Sequence, residues 1–303
     1  MSESLRVGLI GGTGLGEMLG VSAEAGQRHE MDTPFGRPSD AVIEAVWAGV
    51  PVLLLARHGP GHLLNPSQVP YRANIFALKQ LGCTHILASG AVGSLREEFK
   101  PKQLVIPDQV IDRTTRRPNT FFEHAAVHVE FAEPFCPVLR QILLHARTDQ
   151  PQVHTGGCYV AMEGPAFSSR AESLMHRLWG GDLIGMTALP EAKLAREAEI
   201  PYALIALVTD YDCWRSKPAE KDKPATPADP HELLKEIMGN LKSATESAAG
   251  LMKRAVELMN QRREQLSACP AMKALELAIW SDKSRISPDE VKRLSPLWGK
   301  YFS

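Results

Sequence analysis

Short apolar runs alternate with stretches whose apolar positions recur at helical spacing through the first two-thirds of the chain. Residues 6–10 form a short, largely apolar run leading into glycines, which predicts a first buried strand. Residues 41–47 and 52–55 flank Ala48-Gly49-Val50-Pro51 and predict a hairpin. Residues 70–81 carry Tyr71, Ile75, Phe76 and Leu78 on one face and stop at Gly82, the pattern of a helix. Further strands are predicted over 85–88, 104–111, 158–162, 183–186 and 202–208. Further helices are predicted over 134–146, over 168–179 with a serine available as cap, and from about 191. A connector rich in Lys, Pro and Ala covers 215–228. After it, Leu233, Leu234, Ile237, Met238, Leu241, Ala244, Ala248, Leu251, Met252, Val256 and Met259 fall on one side of a long helix. Two short helical patterns, 272–279 and 288–294, follow Arg263.

Strands alternating with helices predict an α/β fold. The expectation is a single domain with a central mixed, largely parallel sheet flanked by helices, plus a helical C-terminal extension. Residues 1–260 are assigned to the domain and 261–303 to the extension, packed on the core or on a neighbouring subunit.

Composition narrows the classes. The chain has 303 residues, 44% of them apolar, enough for a sizeable core. The formal net charge of -1 provides no field to draw it to nucleic acid or to a membrane surface. No apolar run is long enough to span a bilayer, and the start, MSESLR, lacks a signal-peptide apolar region. Cys83, Cys136, Cys158, Cys213 and Cys269 form no CxxC pair and leave an odd one out. They are expected to be reduced core thiols in a cytoplasmic protein.

The stretch GLIGGTGLGE, residues 8–17, is glycine-rich after a strand. The dinucleotide fingerprint needs a third glycine, but Glu17 or Leu19 stands there, depending on the register. A P-loop needs Lys after its second glycine, and Glu17 stands there too. What the loop offers is the hydroxyl of Thr13.

In parallel α/β sheets ligands bind beyond the carboxyl ends of the strands. Those ends carry Gly12-Thr13, Arg57-His58, Gly90-Ala91, Glu163, Met186-Thr187 and Asp210-Tyr211-Asp212. The Arg57 fork matches paired phosphate oxygens, and His58 adds a donor. Thr13 and Thr187 add hydroxyls, and Gly90-Ala91 lets backbone amides approach an anion. Taken alone, Arg57-His58 also fits a solvated turn. Asp210 and Asp212 point to the same side if their strand continues, and in apolar surroundings one is expected to hold a proton. A strand end ready to cap the next element fits them equally well.

VGLIGGTGL, DTPFGRPSD, LLLARHGPGH, CTHILASGAVGSLRE, IDRTTRRP, AEPFCP, AMEGPAFSSRAES, GMTALPEAKLA and VTDYDCW occur in this order. Together they resemble the 5'-methylthioadenosine phosphorylases of the trimeric purine nucleoside phosphorylase family. The resemblance implies the nucleoside phosphorylase fold and phosphorolysis of S-methyl-5'-thioadenosine to adenine and 5-methylthioribose 1-phosphate. It implies a pentosyltransferase of purine and methionine salvage, with inorganic phosphate as co-substrate and neither cofactor nor metal. It makes Thr13, Arg57, His58, Gly90, Ala91 and Thr187 phosphate ligands. Met186 lies under the ribose, Phe167 stacks on the purine, and Ser168 stands beside it. Asp210 is the acid at purine N7 and Asp212 supports it near the 6-amino group, which makes the two the catalytic pair. Leu233 and Leu234, near Pro230, line the 5' pocket, although His231 among them could bind a 5'-hydroxyl. His128 serves the pocket of a neighbouring subunit in a homotrimer. The alternative within the class is a 6-oxopurine nucleoside phosphorylase acting on methylthioinosine, inosine or guanosine. A hydrolytic nucleosidase and a silent nucleoside-binding protein are the alternatives outside it.

Overall fold

The computed structural model describes residues 4–12, 26–149, 151–215 and 230–302, with side chains of the last stretch described from Leu234 onward. Eleven strands among them form one sheet. β1 (Val7–Gly11), β2 (Gln27–His29), β3 (Val42–Trp47) and β4 (Val50–Ala56) open the chain, and α1 (Tyr71–Gln80) leads into β5 (His85–Ser94). β6 (Leu104–Val105), β7 (Gln109–Arg113), α2 (Pro137–Ala146), β8 (Val153–His154) and β9 (Cys158–Met162) follow. Then come α3 (Arg170–Leu178), β10 (Leu183–Gly185), α4 (Glu191–Glu197), β11 (Tyr202–Tyr211) and the long α5 (Pro230–Gln261). The C-terminal stretch holds α6 (Arg263–Leu266), α7 (Pro288–Arg293) and α8 (Ser295–Trp298), with short 3-10 turns between them.

The sheet order is β2-β3-β4-β1-β5-β10-β9-β7, with β11 and then β6 and β8 branching from β5. The pairs β1–β4, β1–β5, β5–β11, β9–β10, β7–β9 and β6–β8 are parallel, and β2–β3, β3–β4, β5–β10 and β6–β11 are antiparallel. This is the mixed, largely parallel sheet that the pattern predicts. Alternate side chains of β11 feed two apolar layers: Leu204, Ala206 and Val208 one, Ala203, Ile205 and Leu207 the other. α1, α4 and α8 cover the first face, while α2 and α5 cover the second. A strand buried on both faces reads as a continuous apolar run, as 202–208 does.

Several boundaries move. The hairpin turn is only Ala48–Gly49, both at positive φ (46° and 74°), so Val50 and Pro51 already belong to β4. Two positive-φ residues give a turn whose twist matches that of the strands. The single strand expected over 104–111 is two, because Pro107 lacks the amide that a continuous ladder needs. The serine that caps helix α3 is Ser169. The Ser169 hydroxyl accepts from the Glu172 amide, and the Glu172 carboxylate accepts from the Ser169 amide, a capping box. The helical pattern of 272–279 is realised only as a 3-10 turn at Pro270–Lys273. β2 and β8, both short, were outside the expectation.

The C-terminal extension crosses the molecule. Leu266 and Cys269 join the layer under α2 and α5, whereas Leu275, Ala278, Ile286, Leu294, Leu297 and Trp298 join the opposite layer. Glu199 holds its far end, accepting from the Leu275 amide (3.0 Å) and the Tyr301 hydroxyl (2.6 Å) and pairing with Lys300 (2.6 Å). The expectation of five core thiols needs correction: Cys83, Cys136 and Cys269 are buried, Cys158 is half-buried and Cys213 is exposed; all are free. Among the described residues no helix is long and apolar enough to cross a membrane.

Candidate active site

The site lies in a fork of the sheet. On one edge of β5, β1 pairs with His85 to Ala88 and β10 pairs with Gly93 and Ser94. Between them, Ser89 to Val92 have no strand partner on that edge among the described residues, while β11 runs along the other edge. The opening leads into a cavity of about 600 Å³, within the usual range for small-ligand pockets. Gly12, Arg57, His58, Gly90, Ala91, Phe167, Met186, Thr187, Asp210 and Asp212 all line it. Residues scattered from 12 to 212 thus meet because β1 and β4 reach the fork from one side, β10, antiparallel to β5, ends at it from the other, and β5 and β11 run past it.

At one end sits Arg57, 1% exposed. It follows β4 directly, and its amide donates to Gly11 O (2.9 Å), extending the β1–β4 ladder by a step. Its Nη1 donates to Ser89 O (2.9 Å), bridging the fork. Its Nε and Nη2 donate to the two oxygens of Glu191, each at 2.8 Å, and Tyr202 Oη donates to Glu191 Oε1 (2.8 Å). Burial disfavours the guanidinium charge, but the Glu191 carboxylate outweighs it and raises the Arg57 pKa further. Three of the five guanidinium N–H groups are thereby occupied, leaving two for the cavity. Glu191 escaped the sequence reading, because a carboxylate opening a helix is unremarkable until its partner is known.

His58 differs from its expected role as a donor. Its Nδ1 is 2.8 Å from Leu64 O, and a carbonyl only accepts, so the ring proton is spent there and Nε2 is left as an acceptor. Burial, with Arg57 and the stacked His62 ring (centroids 4.2 Å apart), lowers the His58 pKa to about 4. Thr187 is buried against β5: a Cβ on Gly90 would meet its Oγ1 at 2.9 Å. Gly90 therefore makes room for a hydroxyl.

At the other end, β11 has a bulge at Thr209. Regular pleating sends adjacent side chains to opposite faces, yet Thr209 and Asp210 both line the cavity; the extra residue resets the alternation. Asn240 of α5 fixes the bulge by donating to Thr209 O (2.8 Å). Burial raises the Asp210 pKa; a hydrogen bond from Thr209 Oγ1 (2.6 Å) opposes this and the neighbouring Asp212 adds to it. Asp212 is buried, and its Oδ2 has no hydrogen-bond partner among the described residues. Gly93 lets the acids close in, since a Cβ there would lie 3.3 Å from Asp212 Cβ and 3.5 Å from Asp210 Oδ2.

The remaining wall rests on Arg117, a second buried arginine that the sequence reading did not single out. It donates to Met186 O (2.5 Å), Leu189 O (2.8 Å), Met162 O (3.4 Å) and Glu163 O, tying the ends of β9 and β10 together. Burial works against the Glu163 charge. Bonds from Ser67 Oγ, the Thr115 and Arg116 amides and Arg117 prevail and hold its pKa at about 2. Gly164, at φ 67°, lets Met186 lie close, since a Cβ there would be 2.5 Å from its Sδ.

Phe167, 81% exposed, is at the rim. Ser168 is beside it but outside the lining, with Oγ 3.8 Å from Met162 Sδ. Leu234 is 58% exposed and also outside the lining; from α5 the cavity takes Ile237, Met238, Leu241 and Thr245 instead. Thr13, His231 and the Leu233 side chain lie outside the described residues. His128 is exposed, outside the lining of this cavity, and its ring contacts Trp280 (4.6 Å).

The model of the phosphorylase superfamily matches residues 6–257. An S-methyl-5'-thioadenosine phosphorylase of Chloroflexus aurantiacus is 46% identical over 99% of this chain and 100% of its own length. One of Geobacter sulfurreducens is 44% identical over 97% and 98%. The crystal structure of a methylthioadenosine phosphorylase from an antarctic soil metagenomic library superposes with a TM-score of 0.83 at 41% identity, covering 98% of this chain and 99% of that one. The Schistosoma mansoni methylthioadenosine phosphorylase in complex with adenine gives 0.79 at 35% identity, covering 91% and 99%. A mutant of that schistosome enzyme, in complex with methylthioadenosine, gives the same values. A fold shared across nearly the whole length, together with the sequence identity, settles the family: the chain belongs to the phosphorylase superfamily and, within it, to the S-methyl-5'-thioadenosine phosphorylases.

Proposed function

We propose that this cavity carries out phosphorolysis of S-methyl-5'-thioadenosine, giving adenine and 5-methylthioribose 1-phosphate. The observation that carries this reading is the buried Oδ2 of Asp212, without a hydrogen-bond partner among the described residues, in the same cavity as the two remaining donors of Arg57. A buried acceptor without a partner costs about 1–3 kcal/mol, and the exocyclic amine of adenine supplies the missing donor. A 6-oxopurine presents an oxygen there instead, which disfavours the alternative substrates.

Phosphate binds at the Arg57 end, with Thr187, the Gly90–Ala91 backbone and Thr13. The acceptor Nε2 of neutral His58 suits the hydroxyl of a singly protonated phosphate. A phosphate oxygen attacks C1' as the bond from C1' to N9 breaks. The sugar gains positive charge, which the anion stabilises, and the purine gains negative charge, which a proton from Asp210 to N7 relieves. Met186 lies under the ribose and Phe167 over the base, with Ser168 behind it. Ile237, Met238 and Leu241 form an apolar wall for the methylthio group, taking the role first assigned to Leu233 and Leu234. His128, exposed beside Trp280, serves a neighbouring pocket in a homotrimer. In this reading residues 1–260 are the catalytic unit, residues 261–303 an extension, and the enzyme acts in the cytoplasm.

Product analysis tests the reading. With phosphate, methylthioadenosine yields adenine and a sugar phosphate. Equal turnover in phosphate-free buffer makes the protein a hydrolase, a higher kcat/KM for inosine makes it a 6-oxopurine enzyme, and no turnover at all makes it a binding protein. Analytical ultracentrifugation tests the trimer.

A further inference from the structure

Outside the cavity, two thiols touch. Cys136 Sγ and Cys269 Sγ are 3.1 Å apart, although 133 positions separate them in sequence. Both are buried, in the apolar layer under α2 and α5. Cys136 is the N-cap of α2, preceding Pro137, and its amide donates to Tyr202 O at the start of β11 (2.8 Å), so it belongs to the rigid core. Cys269 begins the 3-10 turn at Pro270–Lys273, where the C-terminal extension leaves this layer to cross to the opposite face. The contact therefore joins the core to the root of a strap.

We propose that Cys136 and Cys269 are an oxidant-responsive pair, converted by hydrogen peroxide into a disulfide that staples the C-terminal extension to the core. The two side chains need only close from contact to bonding distance, with no intervening group. Contact with the Cys269 thiol favours the Cys136 thiolate; burial opposes it, and the Leu139 and Val138 amides at the helix start assist. The Cys136 pKa is lowered, while that of Cys269 is raised. Cys136 is thus the nucleophile and Cys269 the resolving thiol. The Cys136 thiolate attacks one peroxide oxygen, the O–O bond breaks, and hydroxide leaves as water after taking a proton. The Cys269 sulfur then attacks the resulting sulfenic acid, and the displaced hydroxide leaves as a second water with the Cys269 proton. Two thiols lose two electrons and two protons, and one peroxide becomes two waters. Peroxide is small enough to reach sulfurs closed to larger disulfides, and intracellular thiols reverse the link. Neither sulfur lines the cavity, so the linked enzyme keeps its turnover.

The experiment treats the full-length Cys213→Ser protein, which lacks the exposed thiol, with near-stoichiometric peroxide, followed by alkylation in denaturant and peptide mapping. The expected product is one linked species holding Cys136 and Cys269, lighter by two hydrogens than the two peptides together. Dithiothreitol restores both thiols. The Tm rises by roughly 5 °C while the link persists, because it closes a long loop. In Cys269→Ser the link is absent and a dimedone adduct appears at Cys136. The proposal is overturned if both thiols stay alkylatable, if Cys136 goes on to sulfinate unlinked, or if the linked protein melts no higher. The mapping of the Cys213→Ser protein decides the matter even if Cys269→Ser fails to fold.

Discussion

At the scale of single residues, the site is a set of buried polar groups whose partners decide their state. Arg57 keeps its charge because Glu191 holds it with two hydrogen bonds, and Tyr202 in turn holds Glu191. Removing one partner of a buried pair leaves an uncompensated charge, at a cost of about 3–5 kcal/mol. Glu191→Gln is therefore expected to melt at least several degrees lower by calorimetry, and to raise KM for phosphate more than KM for the nucleoside. Arg57→Lys preserves charge but not the fork, and is expected to lose phosphate affinity with a smaller loss of stability. Burial raises the Asp210 carboxyl pKa against the Thr209 hydrogen bond, the direction that the proposed proton donation to N7 requires. Asp210→Asn is expected to lower kcat by about 10²–10⁴ with an unchanged circular dichroism spectrum. Unchanged kcat would remove Asp210 from the chemistry.

At the scale of elements, the amphipathic stripe of α5 splits in two. Its later part, from Ala244 to Met259, is core, as helical spacing predicts. Its earlier part roofs the cavity with Ile237, Met238 and Leu241. The two halves are indistinguishable in sequence because a core and a ligand's apolar end ask for the same side chains. Leu241→Asn is expected to raise KM for methylthioadenosine about 10- to 100-fold, and KM for adenosine less, in side-by-side kinetics. The strand ends depend on Arg117, whose fork serves a carbonyl at the end of β9 and carbonyls just beyond β10. Arg117→Lys offers one ammonium for several directions. It should lower kcat/KM by about tenfold or more, since small misplacements of bound substrate slow reactions strongly.

At the scale of the whole molecule, the extension unites both apolar layers, so the chain should melt in one transition. Burial also raises the Glu197 pKa to about 7 against the Phe121 amide's hydrogen bond (2.8 Å). A carboxyl with a raised folded pKa contributes stability that is full below its unfolded value, near 4.5, and is lost as pH rises through about 7. The Tm advantage of the wild type over Glu197→Gln is therefore expected to shrink between pH 4.5 and pH 8. Glu163 and His58 act in the other sense. Glu163 supports the fold above about 4.5 and loses that support as pH falls toward 2. His58 costs stability as pH falls from 6.5 toward 4, because only the unfolded chain takes the proton.

The sequence by itself determined most of the order of the strands and helices, though not the short β2 and β8 or the break at Pro107, together with the continuous apolar runs of a sheet covered on both faces and the polar residues near the strand ends. These are local properties, set by side-chain period and by glycine and proline. It also carried most of the cavity's polar lining, because in a parallel sheet a residue just beyond a strand has few places to be. Only the tertiary structure decided that β1 and β10 part along β5 to open the cavity, that Thr209 bulges so that both aspartates face inward, and that Glu191 and Arg117 stand behind the site. Partners as far apart in sequence as Arg57 and Glu191 leave no periodic signal, and a carboxylate or guanidinium destined for burial looks like any surface charge until the fold closes over it.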